Sequence, residues 1–302
     1  MDFKQIEAFV NVVKYKSFSK AADASFLTQP TISMHISILE KELNMQLINR
    51  QSKEALPTKE GRTFYKYALM MLNTREKAVY SLNKQPSNVS GILEIQASSI
   101  PGEYIVPGLM AKFKQIYPGV KFYLEESDSV TVSKNLLENK GEIGFTGMKG
   151  ENGLTYIPLM RDEAVMITPL SAKFKALAGK ALKLEEFIEE PFILREQGSG
   201  TRKEFENNLE KLGYHPGKLD IIARMNSMES IKNAVASGLG VSIVSKIAVG
   251  KECDKDRFLI FGLEEYHLNR EFYIVYNKKV TLSPRAEVFK GFVLNCFDPA
   301  EL

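Results

Sequence analysis

Apolar side chains recur at helical spacing from the start of the chain. Phe3, Ile6, Phe9, Val10 and Val13 share one face, and the polar run Lys14 to Ser17 ends the helix they predict. A short second helix follows, with Ser19 as N-cap of Lys20 to Ala24 and two small residues, Ala21 and Ala22, that let another helix approach closely. Thr28-Gln29-Pro30 opens a third: Thr28 can cap it, and Pro30 sits in its first turn, where a missing N–H costs nothing. Ile32, Ile36 and Leu39 form its apolar face. The other face carries Gln29, Thr31, Ser33, Met34, His35 and Ser37, short polar or adaptable side chains suited to base edges in a major groove.

From Glu60 the pattern becomes one long helix that ends near Lys84, before the linker Gln85-Pro86-Ser87-Asn88. Roughly 24 residues at about 1.5 Å each would span about 36 Å. Tyr65, Leu72 and Val79 share one heptad position and Ala68 and Leu82 another, with Arg75 interrupting them, which is the stripe of a two-stranded seam. The five are therefore candidates for dimerisation; the alternative is a helix packed on its own domain.

Beyond the linker, strand and helix alternate. Ile92 to Ala97 reads as a strand, Glu103 to Tyr117 as a helix, Val120 to Glu125 as a strand, Thr131 to Asn139 as a helix and Ile143 to Thr146 as a strand. A second series places strands at 164 to 168, 192 to 195, 219 to 224 and 241 to 244, and helices at 201 to 212 and 228 to 237. The chain closes with a strand from Glu271 to Tyr276 and a helix from Ser283 to Phe297. This rhythm predicts a parallel α/β sheet.

Composition narrows the class. Hydrophobic residues at 44% and charged residues at 25% over 302 positions exclude a disordered, collagen-like or disulfide-framework chain and leave room for at least two folding units. No apolar run approaches the ~18 residues of a membrane span, and two cysteines, Cys253 and Cys296, fit a reducing compartment, so a cytoplasmic protein without membrane contact is expected. Charge is uneven: residues 1 to 85 hold 13 Lys and Arg against 8 Asp and Glu, while residues 86 to 302 hold 27 against 29. A basic head on a nearly neutral body points the head at a polyanion.

In order and spacing, Phe9, Ser17-Phe18-Ser19, Ala21-Ala22, Thr28-Gln29-Pro30-Thr31-Ile32-Ser33, Ile36, Leu39-Glu40, Leu43, Leu47, Arg50 and Pro57-Thr58-Lys59-Glu60-Gly61 resemble the LysR-type transcriptional regulators. The resemblance implies an α/β protein with an N-terminal winged helix-turn-helix, a long linker helix and a two-lobed, periplasmic-binding-protein-like α/β effector domain. Its regions would be 1–59, 60–88 and 89–302, with lobe I at 89–161 and 266–302 and lobe II at 162–265, crossed near Arg161 and Tyr266. The wing would lie in residues 46 to 58, with Arg50 and Lys53 near phosphates and Ser19 and Thr58 among the DNA contacts. Implied partners are a double-stranded DNA operator, a small anionic effector and a second copy of the chain, as a homodimer or homotetramer, with RNA polymerase a candidate further partner. One departure stands out: relatives usually place Arg or Gln where Met34 stands, and basic residues at Ser37 and Ile38.

Ligands of open parallel sheets sit at the carboxyl ends of strands. Three loops leaving strands are informative: Ser98-Ser99-Ile100, Thr146-Gly147, and Gly198-Ser199-Gly200-Thr201-Arg202, whose amides, hydroxyls and guanidinium could face one anion as it opens a helix. Asn226-Ser227 could complete the wall or simply cap a helix. None supplies core volume, so their hydroxyls are expected to be dispensable for folding. The segment from Glu196 to Arg202 also looks like effector domains linked to sulfur or selenium assimilation or to carbon fixation.

Enzyme readings fail on inventory. G-x-S-x-G, Walker A and dinucleotide fingerprints are absent, and His35, His215 and His267 are scattered without cysteine partners at metal-ligand spacing, so no catalytic residue, metal or cofactor is assigned. Cys253 and Cys296 read as unpaired thiols, with a redox switch as the alternative, and Glu185-Glu186 and Glu189-Glu190 as a solvated face. The rival to a LysR-type regulator is a two-lobed solute-binding or enzymatic domain with an incidental helical head.

Overall fold

The computed structural model describes residues 1–49, 54–82, 85, 89–150, 152–180, 182–249, 256–263 and 269–297. Arg50, Lys53, Lys84, the Pro86–Asn88 part of the linker, Cys253, Tyr266 and His267 lie outside them. The chain divides into two compact units, Met1–Val89 with Lys279–Glu287, and Ser90–Lys278 with Val288–Leu302. The long helix thus shares a unit with the head. No described helix is long and apolar enough to cross a membrane.

The first unit opens with α1 (Phe3–Tyr15), α2 (Phe18–Ser25) and α3 (Gln29–Leu43). Asp2 caps α1 in a reciprocal box with Gln5, and Thr28 caps α3 with Pro30 in the first turn, as its sequence requires. Lys16, Phe26 and Asn44 end the three helices in the left-handed conformation. The cap of α2 is Ser17, whose Oγ accepts from Lys20 N at 3.3 Å; Ser19 lies inside the helix and exposed. The shift arises because Phe18 can enter the first turn while its ring packs on the core.

Ile6, Phe9, Val12, Ala21, Ala22, Ile32, Ile36 and Leu39 are buried together. A wing follows, β1 (Ile48–Asn49) antiparallel to β2 (Leu56–Pro57), and then α4 (Lys59–Leu82). Its expected seam divides. Ala68 is fully buried in the head's own core, and Tyr65 and Leu72 pack against that core, with the Tyr65 ring 6.4 Å from Phe9. Arg75 pairs with Glu7 at 2.9 Å and covers the Phe3 ring. Only Val79 and Leu82 are strongly exposed, so the first half of the stripe serves intrachain packing because α1 lies against it.

The second unit contains β3 (Gly91–Ser98), a π-helical turn at Pro101–Ile105, α5 (Val106–Ile116), β4 (Val120–Ser127), α6 (Ser129–Leu137), β5 (Ile143–Thr146) and β6 (Leu154–Thr168). Then come α7 (Ala172–Lys175), β7 (Phe192–Arg195), α8 (Gly200–Lys211), β8 (Ile221–Met225), α9 (Met228–Ala236), β9 (Ser242–Ser245), β10 (Leu259–Phe261) and β11 (Asn269–Asn277). The last helix, α10, covers Pro284–Asn295.

The sheet is mixed rather than parallel. β3 runs parallel to β4 and β5, whereas β11 is antiparallel to β5 and β6, and β6 is antiparallel to β9 and β10; β7 and β8 form a separate parallel pair. The expected crossing at Arg161 falls inside β6, a 15-residue strand that runs unbroken through both lobes. Its first part was hidden in the sequence by Pro158 and the charged Arg161-Asp162-Glu163. Pro158 is tolerated because the ladder with β11 shifts register between Phe272 and Tyr273, so a missing N–H there breaks no regular bond. One lobe centres on Phe113, whose ring meets Phe289 at 5.0 Å; the other packs Phe174, Phe187, Phe192, Phe205 and Phe261.

Candidate functional site

On α3, Ile32, Ile36 and Leu39 are fully buried, which fixes the opposite face outward. Gln29, Pro30, Met34 and Ser37 are exposed; Thr31 and Ser33 are half-exposed. His35 is half-buried with Nδ1 enclosed and unpartnered, which leaves Nε2 as the ring nitrogen available to an outside partner. Between Gln29 and Leu39 there is no basic side chain except this imidazole. Glu40 and Thr58, the latter an expected DNA contact, shape the wing. Glu40 accepts from Leu47 N at 2.8 Å and Ile48 N at 3.0 Å, tying β1 to α3. Thr58 donates to Gln46 O at 2.7 Å and accepts from Gly61 N at 2.9 Å, so its hydroxyl joins wing to α4. Gly61 is required there, since a methyl group would collide with Leu47 O.

In the body, a cleft gathers Ser98, Ser99, Ile100, Asp128, Ser129, Gly147, Arg195, Glu196, Ser199, Gly200, Thr201, Arg270 and Phe272. The space between them is about 20 Å³, room for roughly one water, so the two lobes meet closely. Arg195 Nη2 donates to Ser99 Oγ at 2.8 Å, and Arg270 Nη1 donates to Thr201 Oγ1. Gly198 approaches Asp128 so nearly that a side chain there would overlap the carboxylate, and Gly200 faces the Gly147 carbonyl. Ser199 caps α8, and Gly200 and Thr201 of its first turn line the cleft.

Expected site residues therefore divide. Ser98, Ser99, Ile100, Ser199, Gly200 and Thr201 come together from both lobes. Thr146 does not join them: it is fully buried, with Oγ1 turned to Met148, and Gly147 lines the wall instead. Gly198 supplies close approach rather than lining. The Arg202 guanidinium turns away to Glu206 at 2.7 Å and to the Arg195 carbonyl at 3.3 Å. Asn226 is exposed and Ser227 caps α9, neither reaching the cleft. Among the described cysteines, Cys296 is exposed with a free thiol.

The sequence reading missed the two buried arginines. Arg270 Nε donates to Asp162 Oδ2 at 2.7 Å; Nη2 lies 2.6 Å from the same oxygen but off the bonding direction, adding attraction without a second bond. Ser245 Oγ donates to the other Asp162 oxygen at 2.8 Å. Arg195 makes a side-on fork to Glu196, Nε to Oε2 at 2.8 Å and Nη2 to Oε1 at 2.9 Å. Burial pulls the Arg270 pKa down, Asp162 opposes this, and the nearby Arg195 charge adds to the fall. Burial and then Glu103 push the Glu126 carboxyl up, against the Ser99 hydrogen bond and Arg195. For Asp128 burial acts upward, but bonds from Thr131 Oγ1, Thr131 N and Val130 N together outweigh it and hold the carboxyl below its usual range. The sequence carries no local signal for their burial, because Asp162 and Thr201 reach Arg270, and Ser99 reaches Arg195, only through the fold.

The family model for the LysR substrate binding domain matches residues 86–297, and that for the bacterial regulatory helix-turn-helix protein, lysR family, matches residues 3–62. An uncharacterized HTH-type transcriptional regulator of Methanocaldococcus jannaschii is 34% identical over 287 residues, spanning 95% of this chain and 96% of that protein. The HTH-type transcriptional regulator CysL of Bacillus subtilis is 30% identical over 291 residues, with 96% and 95% covered. In fold, a full-length OxyR variant from Pseudomonas aeruginosa aligns with a TM-score of 0.78 at 20% identity, covering 97% of this chain and 94% of that one.

Proposed function

The chain belongs to the LysR family of DNA-binding transcriptional regulators, and on that premise we propose that a small anionic effector seated in the cleft controls it. The observation that carries this reading is convergence: Ser98 and Ser99 from one lobe and Ser199 and Thr201 from the other line one cleft with Arg195 and Arg270, whose guanidiniums donate to the Ser99 and Thr201 hydroxyls. Oriented donors in a narrow, partly desolvated space favour an oxyanion or carboxylate. The test is calorimetry on the full chain with sulfate, selenate, thiosulfate and small carboxylates. Ser98→Ala should weaken binding by roughly 1.5 to 3 kcal/mol, the value of a hydrogen bond to a charged group, with the melting temperature unchanged. Thr201→Val is a less clean test, because it also strips the buried Arg270 of an acceptor. Unaltered affinity in Ser98→Ala and in Ser199→Ala would place the effector elsewhere.

On DNA, Gln29, Thr31, Ser33, Met34, His35 and Ser37 read base edges, while Arg50 and Lys53 of the wing neutralise phosphates. Replacing Lys53 should weaken binding to every duplex and flatten the salt dependence; replacing Gln29 should alter sequence preference. Equal effects on operator and random duplex in both variants would reverse this division. Self-association as a homodimer or homotetramer uses the exposed end of α4, where Val79 and Leu82 retain the heptad spacing that Ala68 spends on the head. Sedimentation of a Val79→Asp, Leu82→Asp double variant should show dissociation, and an unchanged oligomer would move the contact to another surface.

A further inference from the structure

The two arginines of the cleft are held by carboxylates of very different freedom. Asp162 sits mid-strand in β6, fully buried, and is fixed by Ser245 as well as Arg270. Glu196 follows the end of β7, and its side chain is 26% exposed while that of its partner Arg195 is 3% exposed. Of the two pairs, only the second has a carboxylate that can regain water on release, and the buried Arg195 is then left to a replacing anion.

We propose that Glu196 is a tethered competitor for the anion the cleft receives, and so sets the effector concentration to which the protein responds. This rests on the reading of the cleft as the effector site. Glu196 offers Arg195 two oxygens side by side, at 2.8 and 2.9 Å, which is the same edge that an incoming carboxylate or tetrahedral oxyanion presents. The Nε and Nη2 donors cannot serve both. Asp128 and Glu196 already place two carboxylates on the wall, so an anion added beside them would meet repulsion, whereas one that displaces Glu196 leaves the charge at Arg195 balanced. The displaced carboxylate needs only a rotation about its own side chain to regain water. Ser99, which also receives Arg195 Nη2, then keeps the guanidinium in place.

A competitor of this kind lowers apparent affinity by the fraction of time the fork is free; holding it nine-tenths of the time corresponds to about tenfold. Titrating the full chain with sodium sulfate, and separately with sodium acetate, should therefore show about tenfold tighter binding of at least one anion in Glu196→Gln and in Glu196→Ala. Ser98→Ala should cancel much of that gain when combined with Glu196→Gln. If wild type binds and Ser98→Ala weakens it, yet both Glu196 variants bind equally or more weakly, the competitor is refuted and the cleft stands. An undiminished gain in the double variant would mean that net charge alone is responsible, which also overturns the proposal. No binding of either anion by wild type or by the Glu196 variants overturns the competitor and the cleft reading together.

Discussion

The outward residues of α3, Gln29 to Ser37, come from one helix, whereas the cleft joins Ser99 to Arg195, Thr201 to Arg270 and Asp162 to Arg270, partners separated by 96, 69 and 108 positions. In the first region the polar side chains are exposed or half-exposed and are placed by a single helix. In the second, each depends on a partner contributed by another lobe or strand. A surface of the first kind can change its chemistry residue by residue; one of the second kind links binding to folding, so a change in one residue is felt by its partner.

The sharpest test of that contrast is Asp162→Ala, which leaves Arg270 charged and uncompensated in the interior. A loss of about 3 to 5 kcal/mol is expected by denaturant unfolding, against less than about 0.5 kcal/mol for Gln29→Ala. A small effect at Asp162 would mean that the cleft is no more interdependent than the helix face. Gly61→Ala comes next, since a methyl group meets the Leu47 carbonyl. Overpacking of about 1 to 3 kcal/mol should abolish DNA binding while anion binding to the body persists. Loss of both activities would show that the two units do not respond separately.

Within the head, Ser17→Ala should cost about 1 kcal/mol through the lost cap of α2, while Ser19→Ala stays near zero. Equal values would return Ser19 to the capping position. The smallest effect concerns Glu126. Because its folded pKa is raised above 4.5, the folded protein keeps this proton longer than the unfolded chain, so stability declines as pH rises from that value through the raised one. Glu126→Gln should flatten the decline in a series of melting temperatures across the acid range. An unchanged slope would assign it to other carboxylates.

Much of this was written in local pattern. The heptad and 3.6-residue spacings found α1, α3 and α4 within a residue or two, Thr28 declared its cap, and β5 and β7 were bounded correctly by their apolar runs and flanking turns. Loops after strands named Ser98, Ser99, Ser199 and Thr201, because a strand's end and a helix's start are both local events. What periodicity could not say is which surface covers a stripe. Ala68 and Leu72 carry the spacing of a seam whether the partner is another chain or α1.

The helices of the head and the polar loops were readable from the chain alone, since each follows from the chemistry of neighbours along it, and the motifs on those helices carried the resemblance to the family. That Arg195 and Arg270 enter the cleft, that Thr146 and Arg202 leave it, and that β6 threads both lobes emerges from the folded chain alone. The reason is energetic. A guanidinium goes into the interior only where partners already wait: strand pairing brings Asp162 to Arg270 from 108 positions away, and Ser99 reaches Arg195 from 96, beside the neighbouring Glu196, and no spacing along the chain encodes the distant partners.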